Sequence, residues 1–210
     1  MRVVCVLTGD KYSDKDVYQL QKQIEQHTTV PYQFVCFSDR QLDCETVLIE
    51  DDDDYGVWNK LRIFQFKEQT LYFDLDVRLQ HNIDHLFRER LTVVECFWKP
   101  KWEDDTPYGK HNTKFNTSIM SWKGDYSYLW DEFSKEIDYN MVTYSGMDRW
   151  LNQQVQLIGY ERGCAFSRAY GIDENSLPND DNFFIDDTAT VCLYNGPGKV
   201  KMEEDFDRLN

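Results

Sequence analysis

Short apolar runs alternate with stretches of helical spacing along this chain, and that alternation limits the folds open to it. Residues 2–7 and 34–37 have the pattern of buried strands, while Val17, Leu20 and Ile24 form one apolar stripe over residues 14–26. This order favours an α/β fold with a mostly parallel central sheet flanked by helices. Further strands are predicted at residues 46–49, 70–73, 92–98, 115–120 and 190–194, and helices at residues 58–66, 126–137 and 147–157.

Length and charge narrow the class of protein. The 210 residues are enough for a single domain with a sizeable core, so residues 1–210 are treated as one domain, which leaves open that it is part of a longer protein. The formal net charge of −15 argues against a nucleic-acid partner, because a phosphate backbone needs a basic face. The sequence contains no apolar run of transmembrane length, so we expect a soluble protein of the cytoplasm.

Two aspartates follow the apolar run Leu71-Tyr72-Phe73. Asp74 and Asp76 are spaced i, i+2, so they point to the same side of an extended chain, with Cα atoms ~6.6 Å apart. At the end of a strand both carboxylates can reach one hard cation, and oxygen ligands suit Mg²⁺ or Mn²⁺. The pair therefore predicts a divalent metal site in which water and a substrate phosphate fill the remaining positions.

Polar residues also follow the other predicted strands. Thr8 and Asp39 come directly after the first two strands, as Asp74 and Asp76 do after a later one. Ligands of parallel α/β sheets sit beyond the carboxyl ends of the strands. We therefore expect one crevice to be lined by these four residues.

A strand that ends in Asp-x-Asp also occurs in phosphatases of the haloacid-dehalogenase type. Their motif resembles D-x-D-x-Thr/Val and normally follows the first strand of the domain. In this chain the fifth position is Arg78, and the motif comes after a complete β-α-β stretch. The phosphatase is therefore the weaker of two interpretations.

The stronger interpretation is a resemblance to nucleotide-sugar glycosyltransferases of the GT-A fold, most closely the glycogenin and lipopolysaccharide-galactosyltransferase type. Small viral and phage glycosyltransferases are the nearest variety, and a viral protein would act in the host cytoplasm. The resemblance spans nearly the whole chain in the family's motif order. Its segments are LYFDLDV at residues 71–77, IDHLF at 83–87, WNKLR at 58–62, FNTSIM at 115–120 and VCLYNGPGK at 191–199.

This resemblance implies a site for a nucleoside diphosphate sugar, with UDP as the nucleotide. Lys60 and Lys199 fall where the family places basic residues on the diphosphate, and Gly196 lies in the element that closes over it. Asn116 falls on a residue that contacts the donor sugar, and Leu75 lies between the two metal aspartates. Thr8, Tyr12 and Asp39 are candidates for the base and ribose. A surface aromatic is an equal alternative for Tyr12, and a turn or cap role for Asp39.

The sequence departs from the family at two positions. The histidine that supplies a third metal ligand is replaced by Leu193, which leaves Asn195 or water as the substitute. Asp148 stands in place of a glutamine near the anomeric carbon. A carboxylate there suits a general base for an inverting displacement, although a nucleophile or a sugar-hydroxyl acceptor are alternatives.

The sequence thus predicts a metal-dependent enzyme that transfers a hexosyl group from a nucleoside diphosphate sugar to a glycan or another hydroxyl acceptor. A sugar-nucleotide-binding module that has lost catalysis is the alternative suggested by the missing histidine.

Overall fold

The computed structural model describes residues 1–49, 55–96, 113–144, 146–171, 186–196 and 202. Its strands are β1 (Arg2–Leu7), β2 (Gln33–Ser38), β3 (Thr46–Leu48), β4 (Thr70–Phe73), β5 (Val77–Leu79), β6 (Thr92–Glu95), β7 (Phe115–Trp122), β8 (Ile158–Gly159), β9 (Ala165–Ser167) and β10 (Val191–Leu193). Its α-helices are α1 (Asp14–His27), α2 (Tyr128–Ser134), α3 (Ile137–Tyr144) and α4 (Met147–Gln154), and two 3₁₀ helices span Gly56–Gln65 and Asp84–Leu86.

A seven-stranded sheet in the order β3-β2-β1-β4-β7-β6-β8 forms the centre of the described chain. The pairs β2–β3, β1–β2, β1–β4 and β6–β8 are parallel, while β7 runs antiparallel to both of its neighbours. The predicted α/β class with a mostly parallel sheet is confirmed. Because β1, β2 and β4 are parallel, their carboxyl ends meet at one edge.

The alternation of side chains along β1 separates two cores. Val3, Cys5 and Leu7 pack with α1 on one face of the sheet. Val4 points to the other face, where aromatic residues from the first 3₁₀ helix and from α2 and α4 fill the core. Trp58 and Phe133 stack there with ring centroids 4.9 Å apart. Both faces of β1 are therefore buried, as its continuous apolar sequence indicates.

The segment predicted as a helix at residues 58–66 is a 3₁₀ helix over Gly56–Gln65. Trp58, Leu61 and Phe64 are all buried, and they recur at i, i+3 and i+6. Three residues per turn bring such positions onto one face, whereas an α-helix would rotate them apart. Asn59 and Ile63 are buried as well, so this helix is covered on more than one side.

A small second sheet, in the order β5-β10-β9, joins the segment after the aspartate pair to the end of the described chain. β5 runs antiparallel to β10, and the amide of Tyr194 donates to the carbonyl of Asp76 over 3.0 Å. This pairing brings residues 195 and 196 to the edge of the sheet where β4 ends. Within the described residues, every helix is too short or too polar to cross a bilayer.

Candidate active site

A cavity of about 400 Å³ lies at the carboxyl ends of β1 and β4. Its volume is in the range of small-molecule sites. It is lined by Val6, Thr8, Gly9, Asp10, Lys11, Tyr12, Gly56, Val57, Lys60, Tyr72, Asp74, Leu75, Asp76, Asn116, Ser118, Asn195 and Gly196. The structure thus brings nine of the residues predicted from the sequence together around one cavity.

The loop from β1 to α1 forms one wall, and it is fixed from behind. Gly9 has a φ of +63°, a left-handed conformation that favours glycine. Its amide donates to Asp39 Oδ2 over 2.7 Å, and Arg40 donates to the carbonyls of Gly9 and Tyr12. Arg40 also forms ion pairs with Asp14 and Asp39. Asp39, predicted to bind the nucleotide, therefore supports this loop and is not among the described residues that line the cavity.

Both members of the aspartate pair line the cavity, and both carboxylates have neighbouring donors. Asp74 Oδ1 accepts a hydrogen bond of 2.5 Å from the Tyr72 hydroxyl and lies 2.5 Å from Lys60 Nζ. Asp76 Oδ2 accepts a bond of 2.8 Å from the hydroxyl of Tyr12. Asp76 is only 9% exposed. Two elements remote in sequence, the β1–α1 loop and the first 3₁₀ helix, therefore hold the pair.

Burial and charge keep these donors protonated. Burial raises the pKa of Tyr12, and Asp76 adds to that effect; burial and then Asp74 likewise raise the pKa of Tyr72. Burial alone would lower the pKa of Lys60, but Asp74 and Asp148 outweigh it, and the net shift is upward. The Lys60 side chain therefore stays protonated and contributes a positive charge to the wall of the cavity.

Strand β7 supplies another wall through an irregularity in its pairing. The register between β6 and β7 shifts after Val93, so the β7 segment between Asn116 and Met120 bulges away from β6. Asn116 Oδ1 accepts from the Ser118 amide over 2.9 Å, and the Ser118 carbonyl accepts from the Asp74 amide over 2.9 Å. The bulge therefore positions Asn116 beside the aspartate pair.

Asp148 lies in the first turn of α4 and contacts Thr117 of the same bulge. Its Oδ1 accepts from the Thr117 amide over 3.0 Å and from the Thr117 hydroxyl over 2.5 Å. It is half-buried and outside the described lining of the cavity, although its charge reaches Lys60. Asp148 thus links α4 to the cavity wall.

Asn195 and Gly196 follow β10 and line the same cavity as the aspartate pair. Asn195 Oδ1 accepts a bond of 2.6 Å from Ser167 Oγ. Leu193, which stands where the resemblance leads one to expect a histidine, is buried in the core. Among the described residues, no three His, Cys, Asp or Glu side chains come together in a way that could hold a metal. Lys199 lies outside the described residues.

Sequence reasoning missed Asp10, Lys11, Tyr72 and Ser118. Asp10 and Lys11 are ordinary turn residues, so nothing in the local sequence marks them. Tyr72 did carry a signal, because it lies two positions before Asp74 and hence on the same side of the strand. Ser118 contributes through its backbone, which no side-chain pattern reveals.

No protein-family model and no curated protein sequence matches the chain. Several solved structures do. The galactosyltransferase LgtC, in complex with donor and acceptor sugar analogues, has a TM-score of 0.64 at 13% identity, over 94% of this chain and 88% of that one. An active-site glutamine-to-glutamate mutant of LgtC has a TM-score of 0.65 at 14% identity.

The glycosyltransferase GlyE of Streptococcus pneumoniae TIGR4 is also similar, with a TM-score of 0.61 at 14% identity over 99% of this chain and 64% of that one. At such identities the likeness is one of fold. The predicted GT-A fold is thereby confirmed.

Proposed function

We propose that this chain, which has the GT-A fold, is a metal-dependent glycosyltransferase. It transfers a hexosyl group from a nucleoside diphosphate sugar, UDP in the first instance, to a hydroxyl of a glycan or another acceptor. The observation that carries the proposal is the meeting of Asp74, Asp76, Lys60 and Asn116 around one cavity at the carboxyl edge of the sheet. These side chains come from three separate parts of the sequence and offer the groups that a diphosphate sugar needs.

The donor set fits a hard divalent cation such as Mn²⁺ or Mg²⁺. Asp74 and Asp76 would hold it with carboxylate oxygens, and Asn195 offers an amide oxygen whose second lone pair is available beside its bond from Ser167. So few protein ligands leave positions for water and phosphate oxygens, as Mg²⁺-type sites usually do. When bound, the ion would neutralise charge that develops on the leaving diphosphate.

The chain's own residues divide the remaining work. Lys60 would bind a diphosphate oxygen as a fixed cation, and Lys199 would add a second from the closing segment. Asn116 would hydrogen-bond a hydroxyl of the donor sugar. The loop that contains Thr8 and Tyr12 would hold the base and ribose, and Leu75 and Gly196 would pack against the donor. Asp10 and Lys11 extend that wall.

For the chemical step we propose Asp148 as general base. It would take the proton of the acceptor hydroxyl while that oxygen attacks the anomeric carbon and the bond from this carbon to the diphosphate oxygen breaks. One displacement inverts the anomeric configuration. Two observations support this role: hydrogen bonds from Thr117 fix Asp148 Oδ1, and the charge of Asp148 contributes to the raised pKa of Lys60, which lines the cavity.

Binding and stereochemistry test the proposal separately. A thermal-shift screen of UDP-, GDP- and dTDP-sugars with and without Mn²⁺ should raise the melting temperature with a UDP-sugar plus metal, because a ligand of the native state stabilises it. NMR of the product then gives its anomeric configuration, and retention would exclude Asp148 as the base of a single displacement. Binding without any turnover would favour a sugar-nucleotide-binding module.

A further inference from the structure

Lys60 already occupies one of the two proposed metal carboxylates in this structure. Its Nζ lies 2.5 Å from Asp74 Oδ1, and the two side chains are only 15% and 16% exposed. The Tyr72 hydroxyl donates to the same oxygen. Asp74 is therefore neutralised by a residue of the protein itself, within the cavity proposed for the donor.

A divalent cation on Asp74 and Asp76 would find this ammonium group next to its own ligand. Two like charges a few ångströms apart repel more strongly in a partly buried site than in bulk water, because the effective dielectric constant is lower there. Lys60 thus competes with the cation for Asp74. The long, flexible stem of lysine allows its ammonium group to turn to another anion within the same cavity.

A diphosphate provides that anion. It brings enough negative charge to draw Lys60 away from Asp74, and it offers oxygens to the cation at the same time. Since Lys60 lines the cavity, the movement needs only a rotation of its side chain. Binding of the diphosphate would then reduce the repulsion that the cation meets from Lys60, and the cation would in turn favour binding of the diphosphate.

We propose that the Lys60–Asp74 ion pair makes the binding of the divalent metal and of the nucleoside diphosphate mutually dependent. This rests on the function proposed above and adds an order to it. Metal alone binds weakly because Lys60 holds Asp74, and the diphosphate releases that carboxylate. By thermodynamic linkage, metal must strengthen diphosphate binding by the same factor.

Titration calorimetry with Mn²⁺ and UDP as probes tests this without turnover. In the unsubstituted protein, saturating UDP should tighten Mn²⁺ binding by about tenfold or more, within the usual range of coupling between sites. Lys60→Met and Lys60→Gln remove the charge, so either should bind Mn²⁺ alone several-fold more tightly and show a smaller coupling factor. Lys60→Arg keeps the charge and should still bind Mn²⁺ alone weakly.

Lys67→Met is the matched control, because it removes a lysine that pairs with Asp125 at the same distance of 2.5 Å but on the surface. This variant should leave the affinities for Mn²⁺ and for UDP unchanged. Thermal melts establish that each variant is folded. If only one of Lys60→Met and Lys60→Gln is folded, that variant alone is enough for the test. If the neutral variants bind Mn²⁺ alone no more tightly than the unsubstituted protein does, the ion pair has no such role. If no protein binds UDP or Mn²⁺ at all, the proposed function itself is wrong.

Discussion

The hydroxyl of Tyr12 donates a 2.8 Å hydrogen bond to Oδ2 of Asp76, 64 positions further along the chain. This bond joins the β1–α1 loop, where the nucleotide is proposed to lie, to the carboxylate pair after β4. Because burial and Asp76 both raise the pKa of Tyr12, the hydroxyl remains a donor throughout the physiological range. The loop and the carboxylate pair are therefore in direct contact.

Tyr12→Phe should weaken metal-dependent binding of UDP by several-fold to tenfold, because it removes one hydrogen bond to a charged group and keeps the ring. Calorimetry with UDP and Mn²⁺ measures the change. Tyr18→Phe is the control, since its hydroxyl bonds the Asp43 amide away from the cavity. Unchanged UDP binding in Tyr12→Phe would mean that the bond to Asp76 contributes nothing to the site.

Asp74→Asn should reduce stability as well as metal binding. It leaves the Lys60 ammonium group without its ion pair in a site where both partners are mostly buried. We expect the free energy of unfolding to fall by about 2 kcal/mol, below the range for fully buried pairs because some solvent reaches this one. Urea unfolding measures the loss. Asp125→Asn removes an exposed pair and should leave the midpoint almost unchanged; equal effects of the two variants would contradict the assigned burial of Lys60.

Asp148→Asn separates proton transfer from positioning. The amide oxygen of asparagine can still accept the two bonds from Thr117, but it cannot take a proton. The rate of sugar transfer should therefore fall by about 10²- to 10⁴-fold, with UDP affinity retained. Thr117→Ala keeps the carboxylate and should cost far less activity. Nearly full activity in Asp148→Asn would assign Asp148 a structural role.

Asp84 should stabilise the fold in a pH-dependent way. Slight burial raises its pKa, but hydrogen bonds from Thr28, Thr29 and Asn82 outweigh this and lower the pKa below its usual range. Its stabilisation is therefore complete above the unfolded pKa of about 3.9 and is lost as the pH falls through the lower, folded pKa. Asp84→Asn should lose about 1 kcal/mol at pH 7.

Urea titrations of Asp84→Asn and the unsubstituted protein at a series of pH values measure this effect. The difference between the two should shrink below about pH 4. The exposed Asp43→Asn serves as control. A difference that stays constant down to pH 2 would show that the Asp84 carboxylate does not stabilise through its charge.

The elements with a clear local pattern were predictable. The bounds of β4 are those expected, and α1 extends one residue beyond its predicted end. Strand β5 has only three residues and forms because it pairs with β10, more than a hundred positions away, so its own sequence carries little signal. The helix predicted over residues 126–137 instead ends at Ser134, and α3 begins at Ile137. The Asn140 side chain donates a hydrogen bond to the Phe133 carbonyl across this junction, and hydrophobic periodicity does not reveal such a side-chain contact.

In the site, too, local features were predictable from the sequence and contacts between distant segments were not. Asp74 and Asp76 were predictable because the end of a strand and their spacing are local features. The contacts of Lys60 with Asp74, and of Tyr12 with Asp76, depend on packing between distant segments. Asp39 was predicted to line the crevice because it follows β2. Its carboxylate instead accepts a hydrogen bond from the amide of Gly9, in the left-handed turn of the β1–α1 loop.

Release of nucleotide from a panel of UDP-, GDP- and dTDP-hexoses, measured with and without Mn²⁺, tests the central claim most directly. We expect metal-dependent release of UDP from at least one UDP-hexose, abolished by a chelator and reduced on the order of a hundredfold by Asp76→Asn. Cleavage of a simple phosphomonoester with Mg²⁺, with no binding or release of any nucleotide, would contradict the account.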